Sequence, residues 1–239
     1  MALCSINGNI YEKKVYRVVK KCTIDSKPFN TQKQNELGGS TLKNDIICNY
    51  TNIKDVGIEI KKSKSPDWVQ CSIKYNKEIK KWQASTKGKN PKECQLIFNN
   101  LLQNIDLYNE DIPPFMKRSI THEEWKKIKK ETSKWNDKYY DIPSDTIRKL
   151  YLSKGCKYIQ ISHYGLYHLG EDVCNFGVPL FEIKQRFRIR TKVHSKKNKN
   201  GFCTLSVTCA CQPINIKKLN KSNYSLDNKS RLPYKLKCV

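Results

Sequence analysis

The sequence predicts an α/β protein of mixed α+β type: a sheet flanked by helices, followed by an antiparallel β extension. Three observations carry this. Two short apolar runs between residues 44 and 62 read as neighbouring strands. Segments between 65 and 152 repeat apolar residues at helical spacing behind recognisable helix starts. After Gly155 the period changes to two.

In chain order, YEKKVYRVVKKC (11–22) predicts a basic amphipathic helix. A polar stretch containing Gly38-Gly39-Ser40 leads into NDIICNY (44–50), a short strand, and a turn around 52–55 joins it to a strand over 56–62. Ser65 suits a helix N-cap and Pro66 the first helical position. Trp68, Cys71, Tyr75, Ile79 and Trp82 then fall on one helical stripe, leaving Gln70 and Lys74 on the opposite side. Asn90-Pro91 starts a second helix, with Cys94, Ile97, Leu101 and Ile105 inward. Thr121-x-x-Glu124 is a capping-box spacing for a third, carrying Trp125, Ile128 and Trp135, and Ser144 caps a short fourth. Residues 158–169 read as strand interrupted at Tyr164-Gly165. FEIKQRFRIRTKVH (181–194) alternates: Phe181, Ile183, Phe187, Ile189 and Val193 on one face, Lys184, Arg186, Arg188, Arg190 and Lys192 on the other. A Lys/Asn/Gly turn leads to FCTLSVTCACQ, with Cys203, Leu205, Val207, Cys209 and Cys211 sharing a face. From Pro213 the tail is polar, basic and expected to be loosely held.

Of the 239 residues, 46 are Lys or Arg against 22 Asp or Glu, a net charge of +24. Such an excess attracts polyanions over long range, so nucleic acid is the expected partner. No apolar run approaches a membrane span and no signal-peptide pattern follows Met1, so a soluble intracellular protein with no membrane partner is expected. The 11 cysteines are scattered with no CxxC, which predicts thiols rather than a disulfide framework or zinc site. No Walker loop, dinucleotide-binding glycine pattern or GxSxG occurs.

The chemistry-bearing constellation is at the first strand pair. Asp45 opens the first strand, and Glu59-Ile60-Lys61 lies on the second, with Val56, Ile58 and Ile60 on its other face. Two carboxylates on adjacent strands suit a shared divalent cation, and a lysine two residues after the glutamate points the same way. A metal can activate water and neutralise a phosphate's developing charge, while the lysine steadies the transition state. Gly57, on the same face, is expected to admit a substrate backbone. Acid-x-Lys occurs seven times, at Glu12, Asp25, Glu59, Glu78, Glu124, Glu182 and Asp227, so the tripeptide alone selects nothing. Glu59 stands out by its apolar alternation, the acid on the upstream strand and the capped element after it.

Asp45 with Glu59-x-Lys61 on an apolar strand, followed by an element starting at Ser65, resembles the PD-(D/E)xK nuclease superfamily. The family's proline is Asn44 here. The resemblance spans residues 10–105 and implies a restriction-endonuclease-like core, a mixed sheet flanked by helices. It implies Asp45, Glu59 and Lys61 as catalytic residues, with Asp45 and Glu59 binding magnesium (or manganese). It further implies Gln70 and Lys74 as accessory polar groups, with Glu36 a weaker helix-borne acid. The chain then divides into a nuclease core (1–110), a helical and antiparallel DNA-gripping part (111–212) and a basic tail (213–239). The function implied is an endonuclease on double-stranded DNA, sequence-specific in the manner of a type II restriction enzyme, for which cutting both strands usually requires a homodimer.

Lys184, Arg186, Arg188, Arg190 and Lys192 stand about 6.5–7 Å apart along one face, a spacing suited to successive phosphates, and arginine's fork suits phosphate and guanine. They are the expected DNA-binding row. Asp172, Glu182 and Lys184 repeat the acid-acid-lysine logic as an internal rival, but Asp172 sits in a Gly/Asn-rich stretch. Two other readings are a structure-selective repair or junction nuclease of the same superfamily and a non-catalytic basic nucleic-acid-binding protein.

Overall fold

The computed structural model describes residues 3–29, 44–50, 53–86, 90–109 and 111–238. Its chain order of helices and strands is mixed α+β, as expected. Helix α1, Leu3–Val19, buries Tyr11, Val15, Tyr16 and Val19 on one stripe. It ends earlier than the helix expected over 11–22, because Cys22–Ile24 (β1) leaves it to pair with Lys27–Pro28 (β2). The Gly38-Gly39-Ser40 loop and Glu36 lie outside the described residues.

The next sheet is mixed. Ile46–Tyr50 (β3) is antiparallel to Ile53–Lys61 (β4), which continues parallel to Cys156–Ile161 (β8) and then, antiparallel, Gly165–His168 (β9). Both faces of this sheet are covered. Val56, Ile58 and Ile60 join α1 in one core, while Ile159 and Ile161 of β8 join the other. Burial on both faces is the general condition of strands in a parallel pairing.

The segment after Ser65 corrects the expected helix. It is a hairpin: Val69–Asn76 (β5) and Lys81–Ala84 (β6). The apolar residues of this segment satisfy both periods, since Val69, Cys71 and Ile73 alternate as well as Trp68, Cys71 and Tyr75 repeat. Partnership decides between them. Residues 69–73 of β5 pair antiparallel with residues 207–211, so the backbone is satisfied by a neighbouring strand. The turn is marked by Asn76, whose side-chain oxygen accepts from Glu78 N at 3.0 Å, and by Lys80 at φ +51°. Ile79, expected inward, is 51% exposed. The Ser65-Pro66 start opens a turn instead, with Ser65 N donating to Lys62 O and the Trp68 indole donating to Ser65 O.

Helix α2, Lys92–Gln103, buries Cys94, Phe98 and Leu102, with Ile97, Leu101 and Ile105 half-buried beside them. Helix α3, His122–Glu131, has the expected cap: the Thr121 hydroxyl accepts from Glu124 N at 3.1 Å. A short strand, Lys138–Ile142 (β7), precedes α4, Thr146–Leu152, whose cap position is Asp145 rather than Ser144. The expected antiparallel strands are Gln185–Ser195 (β10) and Thr204–Pro213 (β11). They complete an antiparallel sheet of order β6-β5-β11-β10-β7. Residue 110 is not a sheet boundary: both larger sheets take strands from either side of it.

The tail is not loosely held. Leu219, Ser222, Ser225, Leu226 and Leu236 are buried. Gln160 of β8, fully buried, accepts from Leu226 N at 2.8 Å and donates to Ser225 Oγ at 2.9 Å. Leu166 N donates to Tyr224 O at 2.8 Å, an approach that needs Gly165, whose φ is +107° and whose added Cβ would lie 2.4 Å from that oxygen. Finally Lys237–Cys238 (β12) adds to β1. Composition hid this, because a polar segment whose few apolar residues dock on a buried amide looks like a solvated one.

Among the described residues no helix is long and apolar enough to cross a membrane. Ten cysteines, from Cys22 to Cys238, form no disulfide.

Candidate active site

Strand β4 carries the site because its two faces differ. Glu59 and Lys61 share the face that β8 fills with Ile159 and Ile161, and Glu59 is only 8% exposed. An ionised pair on an apolar face is costly unless the partners meet. They do: the Lys61 ammonium forms an ion pair with Glu59 Oε1. Asp45, just before β3, turns one carboxylate oxygen onto the backbone of the same strand, accepting from Ile60 N at 2.7 Å. The structure therefore brings Asp45, Glu59 and Lys61 together.

Among the described residues, acidic groups in this cluster outnumber basic ones. Burial pushes the Asp45 carboxyl well above the usual carboxylate range, and the Glu59 charge pushes the same way, against the opposing Lys61 and the Ile60 N–H. Burial alone would depress Lys61, but Glu59 and Asp45 outweigh it and hold its ammonium above the ordinary value. A third acid belongs to the cluster. Glu12, half-buried on α1, is raised by burial and by Glu59 and lowered by Lys61.

Supporting groups fix this geometry. The Lys61 ammonium lies 5.8 Å from the centre of the Tyr151 ring, and the Tyr151 hydroxyl donates to Trp68 O at 3.0 Å, tying α4 to both. The Cys156 thiol donates to Asn44 Oδ1 at 3.0 Å and lies 3.8 Å from Glu59 Oε2. Gly57 differs from expectation. An added Cβ would lie 2.1 Å from Asn44 Nδ2 and 2.6 Å from Gly155 O, so the glycine admits protein packing and not a substrate backbone.

The rival set is taken apart. Asp172 accepts from the Tyr158 hydroxyl at 2.7 Å, Phe176 N at 3.0 Å and Gly177 N at 2.7 Å, the pattern of a loop staple. Glu182 and Lys184 are exposed and precede β10.

The cationic row is uneven. Arg188 donates to Asp137 Oδ2 through Nε at 2.9 Å and pairs with Asp67 Oδ1 at 3.3 Å. Arg190 pairs with Asp67 Oδ2 at 2.8 Å, and Gln212 Nε2 donates to Asp67 Oδ1 at 2.7 Å. The Asp67 side chain is 3% exposed. Arg186 is different: its Nε donates to Gln212 Oε1 at 2.8 Å and its guanidinium lies 4.4 Å over the Tyr139 ring. Lys184 lies outside the strand, and Lys192 is half-buried. Gln70 and Lys74 are exposed as expected, but on strand β5 of this same sheet, where Gln70 pairs in register with Ala210 and Ala210 with Arg188.

Sequence reasoning missed Glu12, Tyr151, Cys156 and Asp67. Only Glu12 left a trace, an acid bordering the buried stripe of an otherwise basic helix. The others need the fold to reach β4 or β10.

No protein-family model and no curated protein matches the chain. Among solved structures, HhaI endonuclease in complex with DNA is similar, at 13% sequence identity over 85% of this chain and 91% of that one, with a TM-score of 0.38. Similarity at that level carries no argument, and the functional reading rests on the site itself.

Proposed function

We propose that the chain is a magnesium-dependent endonuclease that hydrolyses phosphodiester bonds in double-stranded DNA, with Asp45, Glu59 and Lys61 as its catalytic residues. One observation carries the reading: two carboxylates and a lysine converge at a half-buried place where, among the described residues, acidic groups outnumber basic ones. A purely structural cluster gains nothing from a surplus buried acid. A hard divalent cation would relieve it, and the all-oxygen donor set suits magnesium or manganese. Among the described residues no group of three or more His, Cys, Asp or Glu gathers at metal-ligand spacing. Asp45 and Glu59 would thus hold the ion, a number of carboxylates usual for magnesium beside substrate phosphate and water.

When bound, such an ion lowers the pKa of water and neutralises charge on phosphate. The chain's own groups do the remainder. Lys61, kept protonated by its acidic neighbours, is a fixed positive charge for the phosphate that enters. Tyr151 and the Glu59 pairing limit where that ammonium points. Glu12 brings a further acid from a third element. The net charge of +24 supplies long-range attraction for the duplex. Sequence specificity in the manner of a type II enzyme, and a homodimer to cut both strands, belong to the same proposal.

The test is incubation of the purified protein with long duplex DNA and magnesium. Discrete fragments are expected, EDTA should stop their formation, and manganese should replace magnesium. Cutting that persists in EDTA would refute the metal assignment.

A further inference from the structure

A cavity of about 420 Å³ opens two residues beyond Lys61, between the loop that leaves β4 and the start of the antiparallel sheet. Its lining includes Ser63, Lys64, Ser65, Arg186, Gln212 and Lys217, three cations, two hydroxyls and an amide, and no carboxylate. We propose that this pocket is a subsite for a backbone phosphodiester of nucleic acid, next to the site that Lys61 marks. The proposal rests on the nuclease reading in taking the phosphate to belong to the same substrate.

The cations of this pocket are both available and preorganised. Arg188 and Arg190, on the same strand, are engaged by Asp67 and Asp137. Arg186 gives up only its Nε, to Gln212, and stacks on Tyr139, so among the described residues its two terminal amino groups make no hydrogen bond. A stacked guanidinium with one edge fixed and the other free is the arrangement that binds phosphate in a fork. Lys64 and Lys217 are exposed, and neither is ion-paired among the described residues. The opposite wall is rigid: Ser63 N donates to Ser162 Oγ at 2.9 Å, and Ser65 N donates to Lys62 O at 2.9 Å. Three cations with no acid among them form a place where an anion gains without displacing a partner.

Binding of a short fluorescent DNA duplex should be measured in EDTA across a salt series, with magnesium-dependent cleavage measured separately. Lys64→Gln/Lys217→Gln, both on exposed side chains, should fold normally and flatten the log–log salt slope by about two units, with roughly tenfold weaker binding or more at moderate salt. Arg186→Gln should flatten it by about one. Unchanged affinity and slope in both variants, at native thermal midpoints, overturns the subsite, and Glu59-dependent cleavage would then stand without it. A reduced slope in a protein that never cuts DNA upholds the pocket and removes the hydrolytic reading. Inorganic phosphate supplies the last arm. If phosphate stabilises the wild type but not the double variant while the DNA slope is unchanged, the pocket serves a free anion and the nucleic-acid subsite is refuted.

Discussion

Two charged clusters in this protein are built from the same kinds of side chain and end differently. On the antiparallel sheet, Arg188 and Arg190 face Asp67 and Asp137, two cations to two acids, with Gln212 adding a further donor to Asp67. At β4, among the described residues, Lys61 faces Glu59, Asp45 and Glu12. The first cluster is closed, since each charge has a neighbour of opposite sign. The second holds at least one acid more than it has cations among the described residues. Burial penalises both, so an imbalance that the fold could have corrected is informative. A closed network serves the fold, and the open one is where the proposed cation would bind. The comparison also changes the meaning of the arginine row, because regular spacing along a strand says where side chains stand and nothing about whether they are free.

The largest expected difference between the clusters is in activity. Glu59→Gln should lower DNA cleavage by about a thousandfold or more, some 4 kcal/mol of barrier, while DNA affinity stays within a few-fold. Cleavage by Glu59→Gln at the wild-type rate would place the chemistry elsewhere. Asp67→Asn should do the reverse. It leaves two arginines without their shared carboxylate, a loss of about 3–5 kcal/mol for a buried pair broken on one side. The thermal midpoint should fall by roughly 2–4 °C per kcal/mol, and any DNA cleavage by the residual folded protein should respond to magnesium and EDTA as in the wild type. If Asp67→Asn unfolds at the wild-type temperature, the sheet network is not the structural element the comparison takes it to be.

How much of this could be read from residues alone depends on range. The β4 strand was legible because Val56, Ile58 and Ile60 alternate with Gly57, Glu59 and Lys61, a pattern that needs no tertiary information. The α3 cap was legible for the same reason. The 65–84 hairpin was not, since its apolar residues fit periods of two and 3.6 alike and only pairing with residues 207–211 selects one. Proximity of Asp45 to Glu59 followed from a short connection between adjacent strands. Glu12, Tyr151 and Asp67 reach their clusters from helices or loops far away in sequence, where no spacing rule applies. The docking of the tail on Gln160 depends on a single buried amide, which composition cannot announce.

The smallest effect sharpens the comparison most, because it reads the open charge directly. Asp45 has its carboxyl raised in the folded protein by burial and then by Glu59. Between the ordinary aspartate value and that raised value, the folded state binds more protons than the unfolded one, so stability falls as pH rises through the window. Asp45→Asn removes this loss. The variant should therefore melt higher than the wild type at pH values above the ordinary aspartate range, by a few degrees at about 2–4 °C per kcal/mol, and the gap should narrow as pH falls back toward that range. Magnesium provides the second half of the measurement. A cation held by Asp45 and Glu59 should raise the wild-type midpoint at pH 8 and close the gap, since binding to the folded state alone stabilises it by mass action, and it should do little for Asp45→Asn. A gap that does not change with pH, or one that magnesium leaves untouched, would mean that Asp45 is not the surplus acid of an open cation site and that the two clusters are alike after all.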